Sequence, residues 1–182
     1  LAVTATWTAA NGNWDNPSNW STNLIPDAST DVVIPIPGDV TIPAGFTASA
    51  LSVTIQGVAE LFIAETAVLN ITGSTTDAIT IIGGGQLHNK GFINVGNGGI
   101  TGGNAFVIQQ STTKLFNDTT GVININNIVN FAFNLNLLGK VINAGDINIG
   151  AVGTIGDGGF AADFDSQIDN HGTGTIQVNN CP

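Results

Sequence analysis

A repeat of about 27 residues constrains the fold of this 182-residue chain more than any other feature of its sequence. A small residue followed by a large apolar one recurs at Ala50-Leu51, Ala78-Ile79, Ala105-Phe106, Ala132-Phe133 and Gly159-Phe160. Repeats of roughly 20 to 50 residues are typical of chains that stack one supersecondary unit on the next. We therefore expect the chain to stack similar units along one axis.

Two further blocks recur at fixed places within each unit. The first block starts with a long polar residue, continues with an aliphatic one, and ends in Asn in most units; it covers residues 60–63, 86–89, 114–117, 140–143 and 167–170. The second block covers residues 67–71, 91–95, 121–125, 145–149 and 174–178. Both blocks alternate apolar and polar residues and are rich in Ile, Val and Phe, which predicts strands. Three short strands per unit predict an all-β parallel β-solenoid.

An incomplete coil is predicted before the first full one. Residues 38–42 match the second block, and residues 31–34 would serve as the first. The solenoid is therefore expected to cover residues 31–182 with about 5–6 coils. Residues 1–30 would form an N-terminal strand and a Trp-rich cap within the same domain.

The alternation also assigns polar side chains to the two faces of each strand. Ile147 and Ile149 must face inward, because that is the surface a solenoid can bury, so Asn148 faces outward. The internal positions predict an Asn ladder formed by Asn89, Asn117, Asn143 and Asn170; a polar ligand site is the alternative. The outward amide row contains Asn70, Asn94, Asn124, Asn148 and Gln177. This row is either a solvated sheet face or an array of amides that binds a glycan or a neighbouring molecule.

Charge and composition exclude several classes of function. The chain has 3 Lys and no Arg against 13 Asp and Glu, for a net charge of -10. Binding to nucleic acid or to an anionic membrane needs cations, so neither partner is expected. No apolar run approaches the roughly 18 residues of a membrane helix, so no membrane insertion is expected. The single Cys181 excludes a disulfide framework. The small fraction of charged residues, 9%, and the near absence of cysteine suit a secreted, extracellular protein.

The N-terminal sequence carries a family resemblance. Trp7, the segment Gly12-Asn13-Trp14 to Asn19-Trp20, Pro26 and residues 31–34 resemble the start of many secreted bacterial surface proteins. The later segments 87–95 and 142–149 are similar to the L-x-N-x-G-x-I-x-I coils of that group. The resemblance implies a right-handed parallel β-helix at the cell surface, similar to adhesins and autotransporter passengers. Because such proteins include adhesins, filament subunits and lyases, it implies no particular activity.

Catalytic and metal sites find little support in the sequence. Polysaccharide lyases of this fold resemble one another in using Arg or Lys as base, often beside a carboxylate-bound calcium. Here Lys114 and Lys140 share an outward column without an adjacent carboxylate. Asp157, Asp163 and Asp165 could hold calcium through oxygen ligands, and Asp157 with Asp163 could serve as the acid/base pair of glycoside hydrolysis; solvated loop acids are the alternative. We therefore expect a protein without a catalytic site and without a cofactor other than that calcium.

The two ends of the predicted solenoid suggest how the protein functions. Trp7, Trp14 and Trp20 would either cover the first coil or stack on a sugar. Open sheet edges associate unless they are blocked, so a head-to-tail homo-oligomer or filament is expected. Its predicted contact residues are Leu1, Val3, Ala5, Trp7, Ile176 and Val178. The preferred prediction is a non-enzymatic extracellular structural protein forming a filament or surface stalk. A carbohydrate-binding adhesin module is the alternative, and a polysaccharide lyase or hydrolase is the third.

Overall fold

In the computed structural model, which describes residues 2–99, 101–163 and 165–181, the chain winds into a parallel β-solenoid of about six turns. Three sheets run along the axis, each receiving one strand per coil in chain order. Sheet I contains β1 (Val3–Thr6), β3 (Thr30–Ile34), β6 (Ser52–Gln56), β9 (Ile79–Ile82), β12 (Phe106–Gln109), β15 (Phe131–Asn136) and β18 (Gly158–Ala162).

The other two sheets contain the two repeated blocks. Sheet II consists of β2 (Asn11–Asn13), β4 (Asp39–Ile42), β7 (Glu60–Ile63), β10 (Gln86–Asn89), β13 (Lys114–Asn117), β16 (Lys140–Asn143) and β19 (Gln167–Asn170). Sheet III consists of β5 (Thr47–Ala50), β8 (Val68–Ile71), β11 (Phe92–Val95), β14 (Val122–Ile125), β17 (Asp146–Ile149) and β20 (Thr175–Val178). A single-turn 3-10 helix, Pro17–Asn19, lies between β2 and β3. No helix of the described residues has the length and apolar character needed to cross a membrane.

The predicted fold class, an all-β parallel β-solenoid, is confirmed. Ile93 pairs with Ile123, which pairs with Ile147 on the next coil, so the aliphatic columns stack in register. These three side chains are fully buried, and burying each contributes about 1.5–3 kcal/mol. In sheet I, Phe106 and Phe133 stack with ring centroids 4.9 Å apart. The core is therefore a continuous set of columns along the axis.

The predicted register is wrong near the N-terminus. Ile79 pairs with Val53 rather than with Leu51, which lies just before β6. The segment at residues 38–42 belongs to the first block, because β4 pairs with β7 in sheet II. Likewise, β3 lies in sheet I beside β1 and β6. The third strand of this coil is β5, so the coil is complete.

The physical reason is a short first coil. Val32 pairs with Val53, only 21 residues later, whereas Phe106 and Phe133 are 27 residues apart. In this first coil β3, β4 and β5 belong to three different sheets, yet all of them bury alternate residues, so the apolar pattern of such a short strand does not identify its sheet. In addition, β1 and β2 extend sheets I and II by one strand each at the N-terminal end.

Candidate functional site

The internal Asn ladder runs along the solenoid where sheet II turns into sheet III. Nδ2 of Asn89 donates to Oδ1 of Asn117 over 2.7 Å, and Asn117 donates to Asn143 over 2.7 Å. Asn143 in turn donates to Asn170 over 2.6 Å. The first three side chains are buried and Asn170 is exposed. The donors therefore all point toward the C-terminal end.

The same amides also hold the turn backbone. Nδ2 of Asn117 lies within 3.2 Å of the carbonyl oxygens of Gly121 and Asp146. A Cβ would clash with the ladder oxygen Oδ1 at Gly121 and Gly174, and with backbone carbonyl oxygens at Gly91 and Gly145. These close approaches explain the glycine that follows each ladder residue at this turn. Because the buried amides are hydrogen-bonded to one another and to the backbone, they have no free donor or acceptor to offer a ligand.

The outward amide row forms a second chain of hydrogen bonds on sheet III. Asn94 donates to Asn70 over 2.9 Å, Asn124 donates to Asn94 over 2.9 Å, and Asn148 donates to Asn124 over 3.0 Å. These donors point toward the N-terminal end, opposite to the internal ladder. Gln177 pairs in register with Asn148 and is exposed. Each amide carries two N–H groups and two lone pairs, so these half-buried side chains keep groups for an outside partner.

An open cavity of about 460 Å³ adjoins the middle of this row. It lies where sheet III ends and the chain enters loops of unequal length on three successive coils. Its lining residues are Asn97, Asn124, Asn126, Asn127, Ala151 and Val152. Only Asn124 among them was a predicted site residue, because the others lie in loops outside the repeated blocks.

The outer face of sheet II carries an aromatic stack that the sequence analysis missed. His88 lies between Phe62 and Phe116, with ring centroids 4.8 and 4.6 Å away and planes within 14°. The signal was available, since these three residues occupy the third position of the first block. The rings cover one another's faces, so little aromatic surface remains for a sugar. Nε2 of His88 lies 3.7 Å from Oε2 of Glu60.

The partly buried position of His88 predicts that the stability of the protein depends on pH. Burial lowers the pKa of His88 from 6.5, a shift to which Lys90 adds and which Glu60 and Asp118 oppose. The unfolded chain therefore binds this proton more readily than the folded one, and stability falls as pH drops below about 6.5. Lowering the pH from about 7 to about 5.5, which stays above the main carboxylate range, should lower the Tm of His88→Phe less than the Tm of the wild type. Thermal unfolding at the two pH values would measure this difference. An equal loss in both proteins would contradict the assignment.

Lys114 and Lys140 lie beside each other in register on the same face. Nζ of Lys114 lies 5.8 Å from the Phe116 ring centroid. Within the described ranges, the structure contains one ion pair, between His88 and Glu60. No carboxylate oxygen there lies within 4.0 Å of Nζ of Lys114 or Lys140. The two lysines therefore lack the carboxylate partner that would help tune one of them as a catalytic base.

The three aspartates of the predicted calcium site are not brought together. Asp157, Asp163 and Asp165 are all exposed, and Oδ1 of Asp163 accepts a hydrogen bond from the backbone N–H of Leu137 over 3.3 Å. Across the part of the chain that the structure describes, no three His, Cys, Asp or Glu side chains converge on a metal position. These residues therefore form no preorganised carboxylate cluster.

The Trp cluster, formed by Trp7, Trp14 and Trp20, is buried at the N-terminal end of the core. Trp20 packs edge to face against Trp7 at 5.0 Å and against Trp14 at 4.8 Å. Its Nε1 donates to the carbonyl oxygen of Trp14 over 2.8 Å. With at most 2% of each residue exposed, the indoles cannot present a face to a sugar.

The predicted contact residues differ in accessibility. Val3 is 57% exposed and Val178 is 47% exposed, whereas Ile176 is half-buried. The side chains of Ala5 and Trp7 are buried, so a contact at these positions would have to use the backbone of the segment. Part of that backbone is occupied, because Ser21 bonds to both the N–H and the carbonyl oxygen of Thr6. Leu1 lies outside the described residues.

Comparison with known families identifies a match over more than half of the chain. The model of the family described as the BigA fourth domain matches residues 38–154. The match begins just before β4 and ends after β17, so it includes the outward amide row up to Asn148 and the cavity. Neither the curated proteins nor the solved structures gave a match to this chain.

Proposed function

Because the chain belongs to the BigA fourth domain family, we propose that it is a non-enzymatic, adhesin-like structural domain at a bacterial cell surface. The family match and the β-solenoid both support a surface role. Sheets of six and seven strands, at about 4.8 Å per strand, make a rod about 30 Å long. Its small fraction of charged residues, 9%, and its register-matched core suit a spacer or stalk outside the cell.

We further propose that copies associate head to tail. The observation that carries this proposal is the difference in burial between the last coil and the preceding one. Phe160 is 37% exposed, although Phe133 at the same position one coil earlier is fully buried. Val178 is likewise 47% exposed, while the equivalent Ile149 is fully buried. An added coil would bury both side chains.

The sheet edges support the same partner, a second copy of this chain. Edge strands β18, β19 and β20 lie at one end, and β1, β2 and β5 lie at the other. The segment that contains Trp14 and Trp20 already bonds to the backbone of β1 at Thr6 and of β2 at Asn13, so β5 is the main edge for pairing at that end. All neighbouring strands are parallel, so a head-to-tail copy would continue the sheets in the same direction. Such edge pairing supplies backbone hydrogen bonds in addition to apolar burial.

Val178→Lys tests this contact, because a charge on an edge strand opposes edge-to-edge association. We expect the wild type to form linear assemblies by electron microscopy as its concentration rises. The variant should need at least about tenfold more protein, equivalent to about 1.4 kcal/mol. Val58→Lys is the matched control, since Val58 is 68% exposed in the turn between β6 and β7. Monodisperse wild-type particles, or equal assembly of Val178→Lys, would contradict the proposal.

Carbohydrate binding is the second candidate function. It is favoured by the outward amide row, whose hydrogen-bonded side chains form a fixed array with groups left for an outside partner. This candidate is compatible with the first, because the row lies on the side of the rod rather than at its ends.

A further inference from the structure

The cavity beside the outward amide row is walled by amide side chains and contains no charged residue. Three successive coils contribute to it. Asn97 comes from the loop after β11, Asn124, Asn126 and Asn127 come from β14 and the loop that follows, and Ala151 and Val152 come from the loop after β17. Its volume of about 460 Å³ falls within the range of small-molecule sites, roughly 300–1,000 Å³. Size and neutrality together therefore suit an uncharged ligand of one or two sugar rings.

The walls are held in place before any ligand arrives. Nδ2 of Asn126 donates to Oδ1 of Asn97 over 2.8 Å, and Oδ1 of Asn126 accepts from the backbone N–H of Val152 over 2.9 Å. Nδ2 of Asn127 donates to the carbonyl oxygen of Gly96 over 2.8 Å. The buried Asn126 thus connects the loops of three coils, which lowers the entropy cost of binding.

The cavity also retains groups that the protein does not use. Among the residues that the structure describes, neither Nδ2 of Asn97 nor Oδ1 of Asn127 has a hydrogen-bond partner. Asn124 uses one N–H toward Asn94 and keeps the second. At the rim, Val152 is 87% exposed and offers an apolar surface. Residues with free donors, a free acceptor and an apolar side chain therefore line one cavity.

We infer that this cavity binds a neutral saccharide. Sugar hydroxyls both donate and accept, so they can satisfy amide N–H and C=O groups together. The C–H surface of a sugar ring can pack against Val152. An anionic ligand would find no cation among the lining residues. This inference deepens the carbohydrate-binding candidate and rests on it.

The test uses isothermal titration calorimetry with neutral disaccharides of glucose, galactose, mannose and N-acetylglucosamine, and with sialylated and sulfated saccharides as charged comparators. At least one neutral disaccharide should bind the wild type. Asn97→Asp keeps the acceptor for Asn126, removes the free donors and adds a charge, so affinity should fall at least about tenfold. Val152→Glu, at an exposed position that does not threaten folding, should have a similar effect.

Asn23→Asp is the matched control, because Asn23 is exposed and lies outside both the outward amide row and the cavity. Its affinity should equal that of the wild type. The inference is overturned if no neutral disaccharide binds, if only charged saccharides bind, or if Asn97→Asp and Val152→Glu bind normally. If Asn97→Asp binds normally while Asn70→Asp and Asn148→Asp do not, carbohydrate binding stands and its location in the cavity fails. Electron microscopy of the same variants tests head-to-tail assembly separately.

Discussion

Replacing Asn117 with alanine is expected to lower the free energy of unfolding by about 3–5 kcal/mol. The change removes the acceptor of Asn89 and the donor to Asn143, both of which are buried. It also frees the carbonyl oxygens of Gly121 and Asp146. Buried groups left without partners lose their solvation without compensation, so the cost exceeds that of one hydrogen bond. Urea unfolding followed by circular dichroism would measure it.

Asn124→Ala is the matched control on the same coil. Asn124 also hydrogen-bonds to an Asn on each neighbouring coil, but it is half-buried on the outer face, where water can replace the lost groups. Its expected cost is below about 1.5 kcal/mol. If the two variants lose equal stability, the distinction between a structural internal ladder and an accessible outer row is wrong.

Trp20→Ala is expected to cost about 3–5 kcal/mol. Trp20 is 1% exposed, and its removal eliminates both edge-to-face contacts of the Trp cluster and the hydrogen bond to Trp14. We propose that the cluster covers the N-terminal end of the core. Since a solenoid coil contacts only its neighbours, the loss should appear first as faster hydrogen exchange in β1 to β5.

Trp20→Phe serves as the control, because it keeps an aromatic ring in contact with both neighbours. Its loss should be smaller, and exchange in β1 to β5 should stay closer to the wild type. Uniform acceleration of exchange along all coils in Trp20→Ala would contradict a local role at the N-terminal end.

The full coils were predictable because period and composition agree there. Ile93, Ile123 and Ile147 each lie two residues after a glycine, and they stack as the repeat requires. The short first coil was misassigned because alternation identifies a strand but not its sheet. Leu51 was aligned by its apolar character, although Val53 occupies the buried column.

The candidate site was predictable only in part, for reasons of geometry. The alternation of side chains along a strand predicted that Asn94 and Asn124 lie on the outer face, but it could not reveal that their amides hydrogen-bond to each other. The cavity depends on loops of unequal length after β11, β14 and β17, and no repeat constrains those lengths. The stacking of His88 between Phe62 and Phe116 could be predicted from the third position of the first block, which is aromatic in three successive coils although the residue types differ.

The opposite directions of the two Asn chains have an electrostatic consequence. An amide dipole points from its oxygen toward its N–H, so three bonds of the internal ladder orient toward the C-terminal end. Three bonds of the outer row orient toward the N-terminal end. Aligned amide dipoles add along an axis, and these two sets largely cancel. The rod can thus be lengthened coil by coil without accumulating opposite partial charges at its ends from these side chains.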